Sequence, residues 1–447
     1  MSENQELSPG QQELGRHEEN AHFLRAVTDM AGHLPVVTGD AIYTDKGIKL
    51  VDKGARVDQR LYERLVSHKL RDPIDESLMA ENPVDANALL ALAQSQCESI
   101  ELLRLMVNDL QGPERLLAPL KGLLLPRSIA FKLTVMREQR CELFTHSLQM
   151  TLVSIFLALK NGWSEHECVS LATAALLHDV GMLYMDPAWT DPEHRLSTSQ
   201  RKHLVAHSVT AMLVVRDAKA YAQTVELAVL EHHERMDGSG YPRGVPGASI
   251  SPMGQVLLLA EVVSAFFEKF SDMPGQRLSL MLRMNHKSYP ADLVHHILPL
   301  LYDETQPGLP LEPMQAEVAH STAALEAALT MWSQLRSNFP VGWSHLPEAQ
   351  SANFVEKSLQ LLQKQLAEAG SHPSQQLHVL SYLKDDAQGM GELALVNREA
   401  LWKLQSIIND CLRRWPVTTV RGTALEGAVI QWCDACACIE PPARQDV

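Results

Sequence analysis

The sequence predicts a mainly α-helical protein with a small β-rich module near its N-terminus and additional helices toward its C-terminus. Three observations carry that expectation. Of 447 residues, 45% are hydrophobic but only 5% aromatic, so the interior must be built chiefly from Leu, Ala, Val and Met. Runs such as Leu89–Gln94 and Leu359–Leu366 are made of strong helix formers. One segment, Leu34–Gly54, departs from this: short β-rich runs there are punctuated by Gly and Asp, which reads as strands and turns.

Taken in order, residues 1–34 read as a mobile tail, the first 20 being polar without a hydrophobic period. Residues 35–83 read as the β-containing accessory module, and 84–136 as a helical connector with apolar residues at three- and four-residue spacing in Ile100–Val107. A helical block over 137–305 follows. The Pro- and Gly-containing segment Gln306–Pro313 marks a boundary. Beyond it, in 306–447, helices are expected around 314–337, 351–369, 396–413 and 423–438.

The formal charge of −15 argues against tight binding to nucleic acid polymers or anionic lipid. An acidic chain can still take a phosphorylated ligand where metal ions supply the local positive charge. No basic region followed by an apolar stretch opens the chain, and Val256–Phe267 is too short to span a bilayer and is interrupted by Glu261. Seven cysteines without a secretory context suggest reduced thiols, hence a cytoplasmic setting.

A set of histidines and carboxylates between Glu142 and Glu261 carries the chemistry. Glu142 and His146 are four apart in an apolar helical stretch and share a face. Ala174–Leu177 is an apolar helix end that leads into His178-Asp179-Val-Gly181. His203 and His207 are again four apart. Next comes Glu231-His232-His233-Glu-Arg-Met-Asp237-Gly-Ser-Gly240-Tyr241-Pro242-Arg243, and lastly Glu261 within an apolar run. Imidazole and carboxylate suit iron, manganese or zinc, and no cysteine lies among them to favour a thiolate site. A His-Asp pair can place ligands on two adjacent ions. Residues 232 and 233 point roughly 100° apart on a helix, so they can serve neighbouring ions. A carboxylate amid apolar residues, as at Glu261, is costly to bury unless it is paired or bound to a cation. Singly, each has a plainer reading as a hydrogen-bonded core or surface residue. His295-His296 is such a pair, read as surface.

Glu142, His146, His178-Asp179, His207 and the string from His232 to Pro242 resemble the HD-GYP family, a branch of the HD superfamily of helical metal-dependent phosphohydrolases. The resemblance covers roughly residues 137–275. It implies an HD-type helical bundle that hydrolyses cyclic di-GMP to pGpG or GMP, and a role in bacterial signalling. It makes Glu142, His146, His178, Asp179, His207, His232, His233 and Glu261 metal ligands, with His203 outside the ligand set. It implies two or three divalent ions, iron first and manganese or zinc next, which activate a hydroxide beside Asp179 and His178. Gly240, Tyr241, Pro242 and Arg243 would line the substrate or meet a partner signalling protein, and a homodimer is compatible with this reading.

Four positions depart from the family pattern. The last ligand, usually aspartate, is Glu261, and its added methylene shifts the carboxylate by about 1.5 Å. Basic residues that contact substrate phosphates in the family are replaced by Met182, Phe270 and Met273. Lys269, Arg277 and Arg243 lie nearby in sequence as substitutes. These departures leave a second reading open, a weakly active or inactive module that binds metal or nucleotide. A separate string, Cys433-Asp-Ala-Cys436-Ala-Cys438, reads either as a zinc or redox site or as helix thiols packed against neighbours.

Overall fold

A computed structural model describes residues 22–72, 74–190, 198–270, 274–301, 311–368, 371–382, 387–415 and 423–437. Met273 and Cys438 lie outside the described residues. The chain divides into two compact units, one formed by Met1–Pro274 with Lys287–Leu300, the other by Gly275–His286 with Leu301–Val447.

In the first unit, residues 22–30, expected as part of a tail, form a helix whose Phe23, Val27 and Met30 are buried. Their spacing of four and three residues puts them on one face. The β-rich module follows as expected. Strands β1 (Val36–Thr38) and β4 (Leu78–Ala80) pair antiparallel, as do β2 (Ile42–Tyr43) and β3 (Lys49–Val51). The remaining described elements of the unit are helices.

Helix α1 (Cys141–Lys160) is apolar nearly all round, which fits a helix covered on every side. By length and composition it could cross a membrane, but 72% of its apolar window is buried. Helices α2 (Glu165–Leu177) and α6 (Pro252–Lys269) pack on it. A reciprocal cap between Ser164 and Glu167 starts α2, and Ser251 accepts from the Gly254 N–H to start α6. Between them lie α3 (Thr198–Val205), α4 (His207–Asp217) and α5 (Gln223–Glu231). The helices between residues 84 and 139 belong to the same unit.

The second unit is helical: α7 (Leu311–Ser337), α8 (Gln350–Glu368), α9 (Pro373–Tyr382), α10 (Ala387–Arg414) and α11 (Ala424–Ala437), with Pro274–Met284. Trp332, Trp432, Leu359 and Leu404 lie in its core. Buried indoles keep a partner: Trp332 Nε1 donates to Glu356 at 2.7 Å and Trp432 Nε1 to the Ala328 carbonyl at 3.0 Å. Cys433 and Cys436 are packed as free thiols in this core on α11, with Cys411 hydrogen-bonded to Cys433. Burial pushes the Cys436 thiol up to about 11, away from the thiolate that a zinc ligand needs.

Gly181 fixes how α4 meets the turn after the His-Asp pair. A Cβ there would sit 2.2 Å from the His207 carbonyl oxygen and 2.7 Å from the Ala211 nitrogen, both backbone atoms with little freedom to yield. Gly181→Ala is therefore expected to cost about 1–3 kcal/mol or more in urea unfolding. An unchanged midpoint would contradict this close approach.

Candidate metal centre

Three histidines of the set stand where a helix ends or begins. His178 caps the C-terminus of α2, His232 caps that of α5, and His207 opens α4 just after α3. Helix ends leave carbonyls without helical N–H partners. His178 Nδ1 donates to the Ala175 carbonyl at 2.7 Å, His207 Nδ1 to Leu204 at 2.5 Å and His232 Nδ1 to Val229 at 2.6 Å. A carbonyl can only accept, so each of these Nδ1 atoms carries the proton. In the neutral rings each Nε2 is then a lone pair, the form in which imidazole binds a metal.

Those lone pairs converge. His207 Nε2 and His232 Nε2 face each other at 3.2 Å. Asp179 Oδ1 lies 3.3 Å from His207 Nε2 and 3.7 Å from His232 Nε2, while Asp179 Oδ2 lies 3.3 Å from His178 Nε2. Glu261 Oε2 is 3.5 Å from His178 Nε2 and 3.0 Å from His146 Nε2. Two groups have ligand atoms within 4.8 Å of one another: Asp179, His207, His232 and His233, and His146, His178 and Asp179. Asp179 belongs to both, as a carboxylate bridging two ions would.

The donor set fits divalent metal. His178 Nε2 and Asp179 Oδ1 are buried, and neither has a hydrogen-bond partner among the described residues. Such orphaned atoms cost roughly 1–3 kcal/mol each unless something else satisfies them. Burial and the neighbouring His233 hold His232 well below the ordinary imidazole range, and burial and His207 do the same for His233. Both stay neutral. Burial would raise Asp179, but the charge and hydrogen bond of His178 foremost outweigh it and hold the carboxyl well below its usual range. Glu261, likewise opposed by burial, is pushed down to about 2 by His146 and His178. Burial alone would lower His146 and His178; their carboxylate neighbours outweigh it and raise both.

Of the eight residues read as ligands, seven come together here. Glu142 does not: it sits exposed in the first turn of α1, outside both groups. His203 is exposed and meets Trp189 edge-on, and His295 is exposed as read.

The loop after His233 is held from beneath. Glu231 and Glu234 are fully buried. Glu234 accepts from the Arg243 and Val245 backbone N–H groups at 2.8 and 3.2 Å. Glu231 accepts from the Ser251 N–H and hydroxyl at 2.9 and 2.6 Å and pairs with the Arg243 guanidinium. Asp237 accepts from Ser239 and Ser288. A Cβ at Gly240 would meet the Glu234 backbone at 2.4 Å, so only glycine fits. Tyr241 N donates to the His233 carbonyl at 3.1 Å, and its ring lies 4.6 Å from that of His233 and 6.3 Å from that of His207. Tyr241 thus flanks the histidines and Gly240 lies on the Glu234 backbone, whereas Arg243 is engaged with buried carboxylates. Sequence reasoning passed over Glu231 and Glu234; two further carboxylates beside a His-His pair were the available signal.

At the positions where the family carries phosphate-contacting bases, Met182 is buried and Phe270 packs on Phe266, ring centroids 5.1 Å apart. Of the substitutes, Arg277 pairs with Glu399 within the second unit, and Lys269 is exposed beside Phe270.

Residues 129–292 match a family model described as HD domain. A 3′3′-cGAMP-specific phosphodiesterase 3 of Vibrio cholerae is 30% identical over 120 residues, 27% of this chain and 26% of the relative. The cyclic di-GMP phosphodiesterase response regulator RpfG of Xanthomonas campestris is 30% identical over 118 residues, 26% of this chain and 31% of the relative. The cyclic di-GMP phosphodiesterase PdeB of Borreliella burgdorferi is 23% identical over 120 residues, 27% and 31% respectively. The chain thus spans less than a third of the length of each of these relatives.

Arg243→Ala would strip a partner from buried Glu231 and is expected to cost about 1–3 kcal/mol in urea unfolding; an unaltered midpoint would mean the loop stands without it. Protons would compete with a divalent ion at His146 and His178, whose pKa values are raised by their carboxylate neighbours against burial. Metal uptake should therefore release protons and weaken as the pH falls from 8 to 6. Calorimetry in buffers of different ionisation enthalpy measures this, and uptake without proton release would contradict it.

Proposed function

We infer that this chain, which carries an HD domain of the HD-GYP type, is a metal-dependent phosphodiesterase that hydrolyses cyclic di-GMP to linear pGpG and then GMP. The observation that carries this is the convergence of the His178, His207 and His232 Nε2 atoms on Asp179, in a domain whose relatives act on cyclic dinucleotides. We read the site as holding two or three divalent ions, iron first and manganese or zinc next, since its donors are imidazole and carboxylate without thiolate. Such ions supply Lewis-acid charge to phosphate oxygens and make water acidic enough to be a nucleophile near neutral pH.

The chain's own residues set the rest. Asp179 turns Oδ1 toward His207 and His232 and Oδ2 toward His178, which keeps the two groups in one register. Nδ1 bonds to backbone carbonyls lock the three ring planes, so no reorganisation is needed during turnover. Tyr241 covers one side of His233, which places its ring beside the centre for contact with the dinucleotide. Hydrolysis breaks the P–O3′ bond: the water oxygen joins phosphorus, and the proton ends on the 3′ oxygen of the linear product. With Met182 and Phe270 at the family's basic positions, phosphate recognition falls more heavily on the metal site and on exposed Lys269.

Full-length protein loaded anaerobically with Fe(II) and incubated with cyclic di-GMP should yield pGpG or GMP, with 3′3′-cGAMP run in parallel to compare substrates. Asp179→Ala is expected to lower the rate by about a hundredfold or more. Wild-type protein no faster than that variant on either dinucleotide would contradict the proposal.

A further inference from the structure

His146 is oriented differently from His178, His207 and His232. His178, His207 and His232 each donate Nδ1–H to the carbonyl three residues back, and each of those carbonyls lies in the last turn of a helix. His146 is inside the 20-residue helix α1, where carbonyls are taken up by i→i+4 bonds. Its Nδ1 is not held by a carbonyl of its own helix but by a side chain.

A carboxylate from another helix fills that role. His146 Nδ1 lies 3.0 Å from both oxygens of Glu268 on α6. Glu268 follows Glu261 by seven residues, about two helical turns, so both carboxylates project from one face of α6. His146 stands between them, with Nε2 at 3.0 Å from Glu261 and Nδ1 toward Glu268.

We propose that Glu268 is a positioning residue for the metal centre: it accepts the His146 Nδ1–H and so fixes the ring with its Nε2 turned toward Glu261 and His178. This rests on the reading that the cluster holds divalent ions. Glu268 meets the ring nitrogen opposite the cluster, so it acts through His146 rather than as a ligand. A carboxylate there also raises the electron density at Nε2 and strengthens it as a donor.

Zinc titrations of the full-length protein against a chelating indicator test this in wild type, Glu268→Ala and Glu268→Gln. Gln keeps an acceptor for Nδ1–H, and Ala removes it. Glu268→Ala should weaken the ion on the His146 side by about 10–100-fold and leave the ion at Asp179, His207 and His232 within about twofold. Glu268→Gln should recover most of that loss. Melting of the three metal-free proteins should not differ in parallel with their zinc affinity, as it would if Glu268 only stabilised the fold. Glu268→Ala protein that binds every ion as tightly as wild type overturns the proposal but leaves the metal reading standing. Gln that is no better than Ala overturns the acceptor role. Wild-type protein that binds no zinc overturns both proposals.

Discussion

Two imidazole nitrogens face each other at 3.2 Å beside a buried carboxylate, and the structure of the first unit follows from holding them there. Once Nδ1 of His207 and of His232 is committed to a backbone carbonyl, the facing Nε2 atoms of the neutral rings are both acceptors. Acceptors do not attract one another, so the arrangement calls for a cation between them and Asp179. The fold meets this by ending α2, α3 and α5 at the same place. Each helix end gives up a carbonyl to a histidine, and a liability of helix termini becomes the means of orientation.

The same economy extends outward from the histidines. Glu231 and Glu234 flank the His-His pair but point away from it, into the loop that follows and the start of α6. Their carboxylates accept from backbone N–H groups, Ser251 and Arg243, so the loop bearing Gly240-Tyr241-Pro242 is anchored to the same helix end that carries His232 and His233. Tyr241 rests on His233 as a consequence. Arg243, which charge alone would assign to a phosphate, is a brace.

The convergence of the inner residues was legible in the sequence because each comes from a motif with its own spacing: His178-Asp179 at a helix end, His232-His233 before a turn, Glu261 alone in an apolar run. The helices from 311 onward were legible from composition and period, apart from α9. What could not be read is pairing across distance. That β1 joins β4 some forty residues on depends on the fold and not on local pattern. The helical spacing of Glu142 and His146 puts them on one face, yet only His146 is turned inward; one face of a helix spans both the core and its rim. Glu268 is the converse case: its partner is 122 positions away, and a seven-residue spacing from Glu261 is too common to single out. The cysteines of α11 form a suggestive string, but their environment is a packed apolar core around Trp432.

The central claim is that divalent ions lie among the converging Nε2 atoms. A crystal structure of the metal-loaded protein, with anomalous diffraction recorded above and below the iron edge, measures this most directly. The account predicts two or three peaks, one bounded by Asp179, His207, His232 and His233 and another by Asp179, His178, His146 and Glu261. An absence of peaks, with His207 and His232 rotated to bond other side chains, would contradict it.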